Sequence, residues 1–515
     1  MLELLVTLIV LPPLLAAAWI AIGMVFGSNE GEAGEAGTAH IAQGAAVLSL
    51  LSVLSLDLFA LLVRAPGQIR LGTWLASGEV EAAISFTLDP LALSLATLVA
   101  SICLLTQRFS VNYLHREAGF QRFFMILSLF TGAMLLIVTA GNLLLAFVGW
   151  ELAGVSSYLL IAYAYDRNQA AESATRAFVT NRIGDAGFLL AIFLCLSWIG
   201  SLEWPDITTG SAGLSRSSAG LILLALLLPV LAKSALVPFA GWIARALEGP
   251  TPSSAVFYGS LMVHAGVYLL IRSAPLFQQA PSLMPMLALL GLTTALYGWL
   301  SGLTQTDVKT SLMFATTTQV GLMVLACGLG WLELATWHLV LHAIWRAYQF
   351  LHAPALMHLA TGPARPVPRW LRDRKRLYNA ALQRFWLDPA ADALLVRPTR
   401  QLARDIQAFD DQVVDRLVGL PDQTSALSSM EDRGGRGPGT QAKGVTQASG
   451  LLGSLLESLA DLLYWFEERL VLRGGGEGLE AGIRHLGGYL QQIEDLLSRP
   501  RYLLLLIMAT LVVIL

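Results

Sequence analysis

Long apolar runs separated by short polar punctuation organise this chain. Runs of spanning length fall at about 3–27, 41–63, 90–110, 121–140, 142–165, 176–200, 218–244, 252–273, 281–302, 307–329 and 331–359. At about 1.5 Å of rise per residue, each is long enough to cross a hydrocarbon layer about 30 Å thick as a helix. The pattern predicts an all-α, polytopic membrane protein with about 11–12 transmembrane helices. Gly, Pro, Asn or Asp marks most linkers, and GSNEGEAGEAGTAH between the first two runs reads as a flexible loop. Glu3 stands where a signal peptide would be basic and the first apolar run is too long for one, so it is expected to remain as a span.

The character changes after residue 360. PARPVPRWLRDRKRL is basic and Pro-broken and suits a cytoplasmic membrane surface, either as a stop-transfer flank or as a docking segment. From Phe385 to Ala426 the chain reads as an amphipathic helix broken at Pro398 and Pro421. The expected divisions are N-terminal spans at 1–89, a membrane core at 90–360, a basic cytoplasmic segment with an amphipathic helix at 361–426 and a disordered linker at 427–449. C-terminal amphipathic helices at 450–499, lying on the membrane or on a partner, and a short anchor at 500–515 complete the list.

Composition supports this reading. With 55% hydrophobic and 13% charged residues the 515-residue chain is no ordinary soluble protein. The net charge of −3 and the lack of a basic stripe give no reason to expect a nucleic-acid partner. Cys103, Cys195 and Cys327 each stand alone in apolar runs and are expected as free thiols, and no zinc-ligand spacing is visible. Arg108, Arg116, Arg122, Arg167, Arg176 and Arg245 put the loops after odd-numbered spans in the cytoplasm and the N-terminus outside. Arg64 and Arg70 oppose that assignment without outweighing it.

Charge inside apolar runs is the candidate chemistry, because an ionisable group at membrane depth is costly. His338, His342 and Arg346 recur every four residues and share one face as a strip roughly 12 Å long. Glu151 sits in GWELAGVSSYLL, as a relay group or as a carboxyl bonded for helix packing. Arg182 and Asp185, three apart, suit a relay or a local ion pair. Lys233 lies five residues before Pro238, whose missing amide predicts a broken helix beside the lysine, with freed carbonyls and a desolvated ammonium able to bind water. Tyr258 reads as a core aromatic, while His264 suits a hydrated path. Lys309 is a path entry or a snorkelling end residue, and the Thr316–Gln319 polar cluster bonds water or another helix.

Together, GWE at 149–151, SSYLL at 156–160, NRIGD at 181–185, AKSALVPF at 232–239, GPTPSSA at 249–255, MVHAGVYLL at 262–270, QTDVK at 305–309 and TTTQVGLM at 316–323 resemble the NuoL/ND5/Mrp antiporter-like, proton-conducting membrane subunits. The resemblance implies a relay through Glu151, Lys233, Lys309, His338 and His342, with Arg182 and Asp185 beside the carboxylate–lysine pair. Tyr258 replaces a common family histidine and Arg346 a common lysine; a permanent guanidinium charge there suits a gate or clamp better than a proton donor. The chain also passes to its basic segment where the familiar branch continues with further spans.

These departures make it most similar to the DabB subunits of DAB inorganic-carbon accumulation complexes. That resemblance implies a multi-pass protein of the bacterial inner membrane that is not itself an enzyme and has no cofactor. It would conduct H⁺, or alternatively Na⁺, and couple the gradient to CO₂ hydration by a DabA-like zinc-containing partner subunit. The alternatives are a subunit of a complex I-type NADH dehydrogenase or of an Mrp-type Na⁺/H⁺ antiporter, and a scaffold that has lost transport.

Overall fold

The computed structural model describes residues 1–29, 31–77, 80–359 and 366–409. The chain runs through α1 (Leu2–Val25), α2 (Gly31–Leu62), a hairpin of β1 (Gly67–Ser77) and β2 (Val80–Leu88), α3 (Pro90–Tyr113), α4 (Phe120–Thr139), α5 (Leu143–Ile161) and α6 (Asn168–Trp198). The short α7 (Trp204–Ser211) and α8 (Arg216–Lys233) follow. Next come an interrupted helix α9 (Thr251–Arg272), then α10 (Met284–Gly302), α11 (Val308–Gly328) and α12 (Leu332–Leu359). Side chains start several of these helices: Asp89, Asn142, Ser215 and Asp307 accept from the amides of Ala92, Leu145, Ser218 and Thr310 at 2.8–3.1 Å.

The protein is a multi-pass membrane protein. Among the described residues, ten helices are long and apolar enough to cross a bilayer. α12 is long enough but is not one of the ten, because its polar strip lowers its hydropathy. Its faces are sorted inversely to those of a soluble amphipathic helix. His342 and Arg346 point inward at 8% and 5% exposure, whereas Trp337, Leu341, Ile344, Trp345 and Tyr348 are exposed.

Three departures from the sequence reading bear on the site. The Gly/Glu-rich stretch expected to be a flexible loop is helical from Gly31. Its alanines and glutamates favour helix, and Glu32 and Glu35 bind Arg116 and His115 across the turn between α3 and α4. The hairpin, which the run pattern had not revealed, is antiparallel and packs over the turn between α4 and α5: Asn142 Nδ2 donates to Ala83 O at 2.7 Å and to Glu203 Oε1 at 3.0 Å. The helix break expected beside Lys233 is present, the α-helix of that run ending at Lys233. Ala235 takes a left-handed φ of 50°, and a 3₁₀ turn follows at Phe239–Trp242. α9 is interrupted as well, by a π-turn at Ala255–Ser260 and a 3₁₀ turn at Met262–His264. Breaks of this kind survive in a membrane only where the protein itself surrounds the freed backbone.

Close packing fixes the first break. A Cβ on Gly184 of α6 would stand 2.5 Å from the Ala232 Cβ, and one on Gly187 would stand 2.5 Å from the Leu228 Cβ, so these glycines let α6 lie against the end of α8. Trp242 reaches back from the 3₁₀ turn, its Nε1 donating to Ala232 O at 2.9 Å.

Beyond α12, α13 (Lys375–Leu382) leads to three successive left-handed residues, Arg384, Phe385 and Trp386, and then a helical turn at Leu387–Ala391. These residues close the first compact unit, Met1–Asp392. In the second unit, α14 (Arg397–Phe409) is amphipathic and holds Pro398 in its first turn. A π-turn ending at Val396 runs directly into it, so regular α-helix is interrupted just ahead of Pro398, where a break was expected. The break expected at Pro421, the linker at 427–449, the helices at 450–499 and the anchor at 500–515 lie outside the described residues.

Candidate functional site

Two polar clusters, the first part-exposed at its Arg182–Glu151 end, form where α8 and α9 break. In the first, Arg182 of α6 makes an ion pair with Glu151 of α5 and lies 3.5 Å from Asp185. Trp150 Nε1 donates to Asp185 Oδ1 at 2.9 Å, and Phe178 stacks under the Arg182 guanidinium at 4.6 Å. Lys233, 1% exposed, does not meet Glu151 directly. Its Nζ donates to Trp150 O at 3.2 Å and sits 5.1 Å from the Trp150 ring, and a Cβ on Gly154 would come within 3.2 Å of it. Among the described residues no carboxylate reaches Lys233 at ion-pair distance. Trp150 therefore bridges the lysine and the Asp185 side of the carboxylate–arginine group.

The second cluster joins α9 to α12. His264 Nε2 and His342 Nδ1 are 3.0 Å apart, and Arg346 brings its Nε and Nη2 to 3.4 and 3.3 Å from His342 Nε2. His338 belongs to the same strip but turns to α11, where its Nε2 lies 2.8 Å from Gln319 Oε1. Gln319 was noted only within a hydroxyl cluster; a polar residue deep in a span was the signal for it. Thr316, Thr317 and Thr318 spend their hydroxyls on their own helix, bonding the carbonyls of Leu312, Met313 and Phe314.

One hydrogen bond ties the clusters together, from Ser234 Oγ to Val263 O at 2.6 Å. Lys309 is not part of either cluster. It lies in the first turn of α11, ten residues and so about 15 Å of helix before Gln319, at the membrane face where α10 ends. The arrangement suits proton exchange: a buried ammonium, a carboxylate–guanidinium pair and hydrogen-bonded imidazoles lie beside two helix breaks.

The family described as "NADH:quinone oxidoreductase/Mrp antiporter, TM" matches residues 140–367, and that described as "NADH-Ubiquinone oxidoreductase (complex I), chain 5 N-terminus" matches residues 74–124. Over these residues the chain is similar to the NuoL/ND5/Mrp antiporter-like subunits. The NADH-quinone oxidoreductase subunit L of Mycobacterium tuberculosis is 39% identical over 288 residues, covering 56% of this chain and 46% of that protein. The NADH-ubiquinone oxidoreductase chain 5 of Schizophyllum commune is 39% identical over 290 residues, covering 56% and 42%. The match thus spans less than half the length of these relatives. A solved Mrp complex from Dietzia sp. has a chain of similar fold, with a TM-score of 0.60 at 20% identity, covering 98% of this chain and 62% of that one. The archaeal membrane-bound sulfane sulfur reductase has another, with a TM-score of 0.58 at 20% identity over 70% of this chain and 57% of that one. Both polar clusters and Lys309 fall inside the span of the antiporter-like family match.

Proposed function

We propose that this chain is the proton-conducting membrane subunit of a larger assembly and does no covalent chemistry itself. The observation that carries the reading is the burial of Lys233 at a helix break, with no carboxylate at ion-pair distance among the described residues, beside a hydrogen bond from Ser234 to Val263 that leads to the His264–His342 pair. An ammonium is expensive to keep in that position, and a relay uses it by alternately holding and releasing a proton. Glu151, Arg182 and Asp185 then act as the charge group that Lys233 answers to, and His264 receives the proton. Lys309 serves the entry at the cytoplasmic face, with the N-terminus outside a bacterial inner membrane. Arg346 holds His342 in one orientation as a fixed charge and does not itself pass protons.

The assembly proposed is a DAB-type complex, in which the gradient drives CO₂ hydration on a DabA-like zinc subunit docked near the basic segment at 363–376. Arg346, in place of a proton-exchanging lysine, favours this over a redox-driven pump. The relatives' names support the second reading, a subunit of an NADH-quinone oxidoreductase or of an Mrp complex moving H⁺ or Na⁺.

Purification of the tagged chain in mild detergent separates the two. A zinc-bearing soluble partner supports carbon accumulation, and quinone-reductase or Mrp-like subunits overturn it. Proteoliposome flux tests the conduction itself, which fails if Lys233→Met conducts protons as fast as the native protein.

A further inference from the structure

Opposite the face of Lys309, where α9 ends, α10 begins, α11 ends and α12 begins, the bundle holds a cavity of about 260 Å³. Leu270, Phe277, Met284, Cys327 and Leu332 wall it. Gln278 is the one strongly polar side chain among its described lining residues, and none of these is charged. The floor is covered, with Leu270 at 3% and Cys327 at 2% exposure. The rim is open: Gln278, Pro281 and Gly330 are exposed, and Trp331, next to Gly330 in sequence, is 57% exposed. Tryptophans collect where headgroups meet hydrocarbon, so the rim lies at that level and the floor dips toward the hydrocarbon.

The walls select the occupant. A buried water needs about two to four polar partners, and an apolar cavity of about 150 Å³ stays dry and takes up hydrocarbon instead. An ion or ionised ligand would find no counter-charge on these walls to offset its lost hydration. A partner's transmembrane helix, about 10–12 Å across, is too wide for a space of this volume. A flexible hydrocarbon chain fits. If a methylene takes about the volume of a water molecule, roughly 30 Å³, the space holds roughly nine of them.

We propose that this cavity binds one acyl chain of a membrane phospholipid, with its terminal methylenes against Leu270 and Cys327 and its ester end at the rim beside Gln278. A tail in the bilayer is already out of water, so hydrophobic transfer contributes little. What the tail gains is the set of wall contacts that an empty space forfeits. The Gln278 amide donates to an ester or phosphate oxygen at the rim. Because the ends of four helices wall the space, the chain ties α9 and α12, which carry His264 and His342, to α10 and α11. The site stands independently of the conduction reading.

The test uses the full-length chain with whatever subunits copurify, reconstituted in phosphatidylcholine vesicles. These carry a trace of phosphatidylcholine with a diazirine in one acyl chain, either near its terminal methyl or next to its ester. After illumination, labelled residues are mapped by mass spectrometry. The terminal diazirine is expected to label Leu270 and Cys327 on the floor, and the ester-side diazirine the rim at Gln278 and Pro281. Ala274, which also lines the cavity, and Met284 allow it to be filled from two different elements. Ala274→Phe and Met284→Trp are each expected to cut floor labelling at least about fivefold at unchanged Tm, while labelling of the exposed Leu334 and Trp337 on α12 stays the same. Floor labelling that survives both variants, or that is absent from the native protein, overturns the proposal. So does equal labelling of the floor by the two probes, a comparison made on the native protein that needs neither variant to fold.

Discussion

Ser234 Oγ donates to Val263 O at 2.6 Å, joining the residue after Lys233 to the residue before His264. Two interrupted helices are thereby held in register at the point where their polar groups meet. Ser234→Ala removes the donor but leaves a buried carbonyl, and is expected to cost about 1–3 kcal/mol and to slow proton flux. Gly266→Ala attacks the same joint from the other side, because its new Cβ would stand 2.2 Å from Ser234 Oγ. It should destabilise by about 1–3 kcal/mol. Thermal melts in detergent and liposome flux check both variants, and flux unchanged in both would mean that the clusters do not communicate through this joint.

Glu151 and Arg182 give a second prediction. One Glu151 oxygen pairs with the guanidinium while the other has no hydrogen-bond partner among the described residues. Arg182→Met leaves a partly buried carboxylate with no counter-charge. The cost should fall below the 3–5 kcal/mol typical of breaking a fully buried pair, because both side chains keep some solvent contact. Arg182→Lys should recover much of the stability but less of the flux, since an ammonium loses the planar face that lies over Phe178 and with it the placement of Nη1 between Glu151 and Asp185. Parallel Tm and flux measurements on the two variants separate these effects.

How much of this was legible in sequence differs from residue to residue. Ionisable residues inside apolar runs exposed Glu151, Arg182, Asp185, Lys233 and His264 as candidates, and helical periodicity put His338, His342 and Arg346 on one face. Partner choice was not legible. Glu151 pairs with Arg182 instead of Lys233, and His338 turns to Gln319, because rotamers and helix placement decide contacts at the scale of an ångström. The Pro238 rule located the break after Lys233. No proline lies within the π-turn of α9, so nothing in the residue pattern announced it. The hairpin escaped notice because it lies between apolar runs, and its strands are too short and mixed to register as spans.

Asp89 gives a pH prediction. Burial works to raise its carboxyl, but hydrogen bonds from and the charge of Arg272, with the Ala92 amide, outweigh that and hold it below the ordinary carboxylate value. A group depressed in the folded state stabilises fully above its unfolded pKa of about 3.9, and that contribution is lost as pH falls through the folded value. The native protein should therefore lose Tm as pH drops below about 4, and Asp89→Asn should flatten that part of the profile. A variant whose acid limb matched the native one would show that other carboxylates govern acid unfolding.

The residues after α12 give the last prediction. Asp388 is almost covered, yet three arginines converge on it. Arg245 Nε lies 3.6 Å and Arg384 Nη1 3.3 Å from Oδ2, and Arg176 Nη1 donates to the Asp388 carbonyl at 3.3 Å while also binding Asp392. A Cβ on Gly241 would stand 3.0 Å from Asp388 Oδ1, so this carboxylate lies against the 3₁₀ turn whose Trp242 bonds Ala232, next to Lys233. The three left-handed residues just before it, each costing of order 1–3 kcal/mol, persist only because the surroundings hold them. Asp388→Ala should therefore release the 384–392 turn before it unfolds the membrane helices. Faster cleavage by trypsin at Arg384 with little change in Tm is the expected outcome, together with altered proton flux, because the neighbouring turn supports the end of α8. Unchanged cleavage would mean that packing of Phe385 against Tyr297 at 6.0 Å, and not the charge cluster, holds the turn in place.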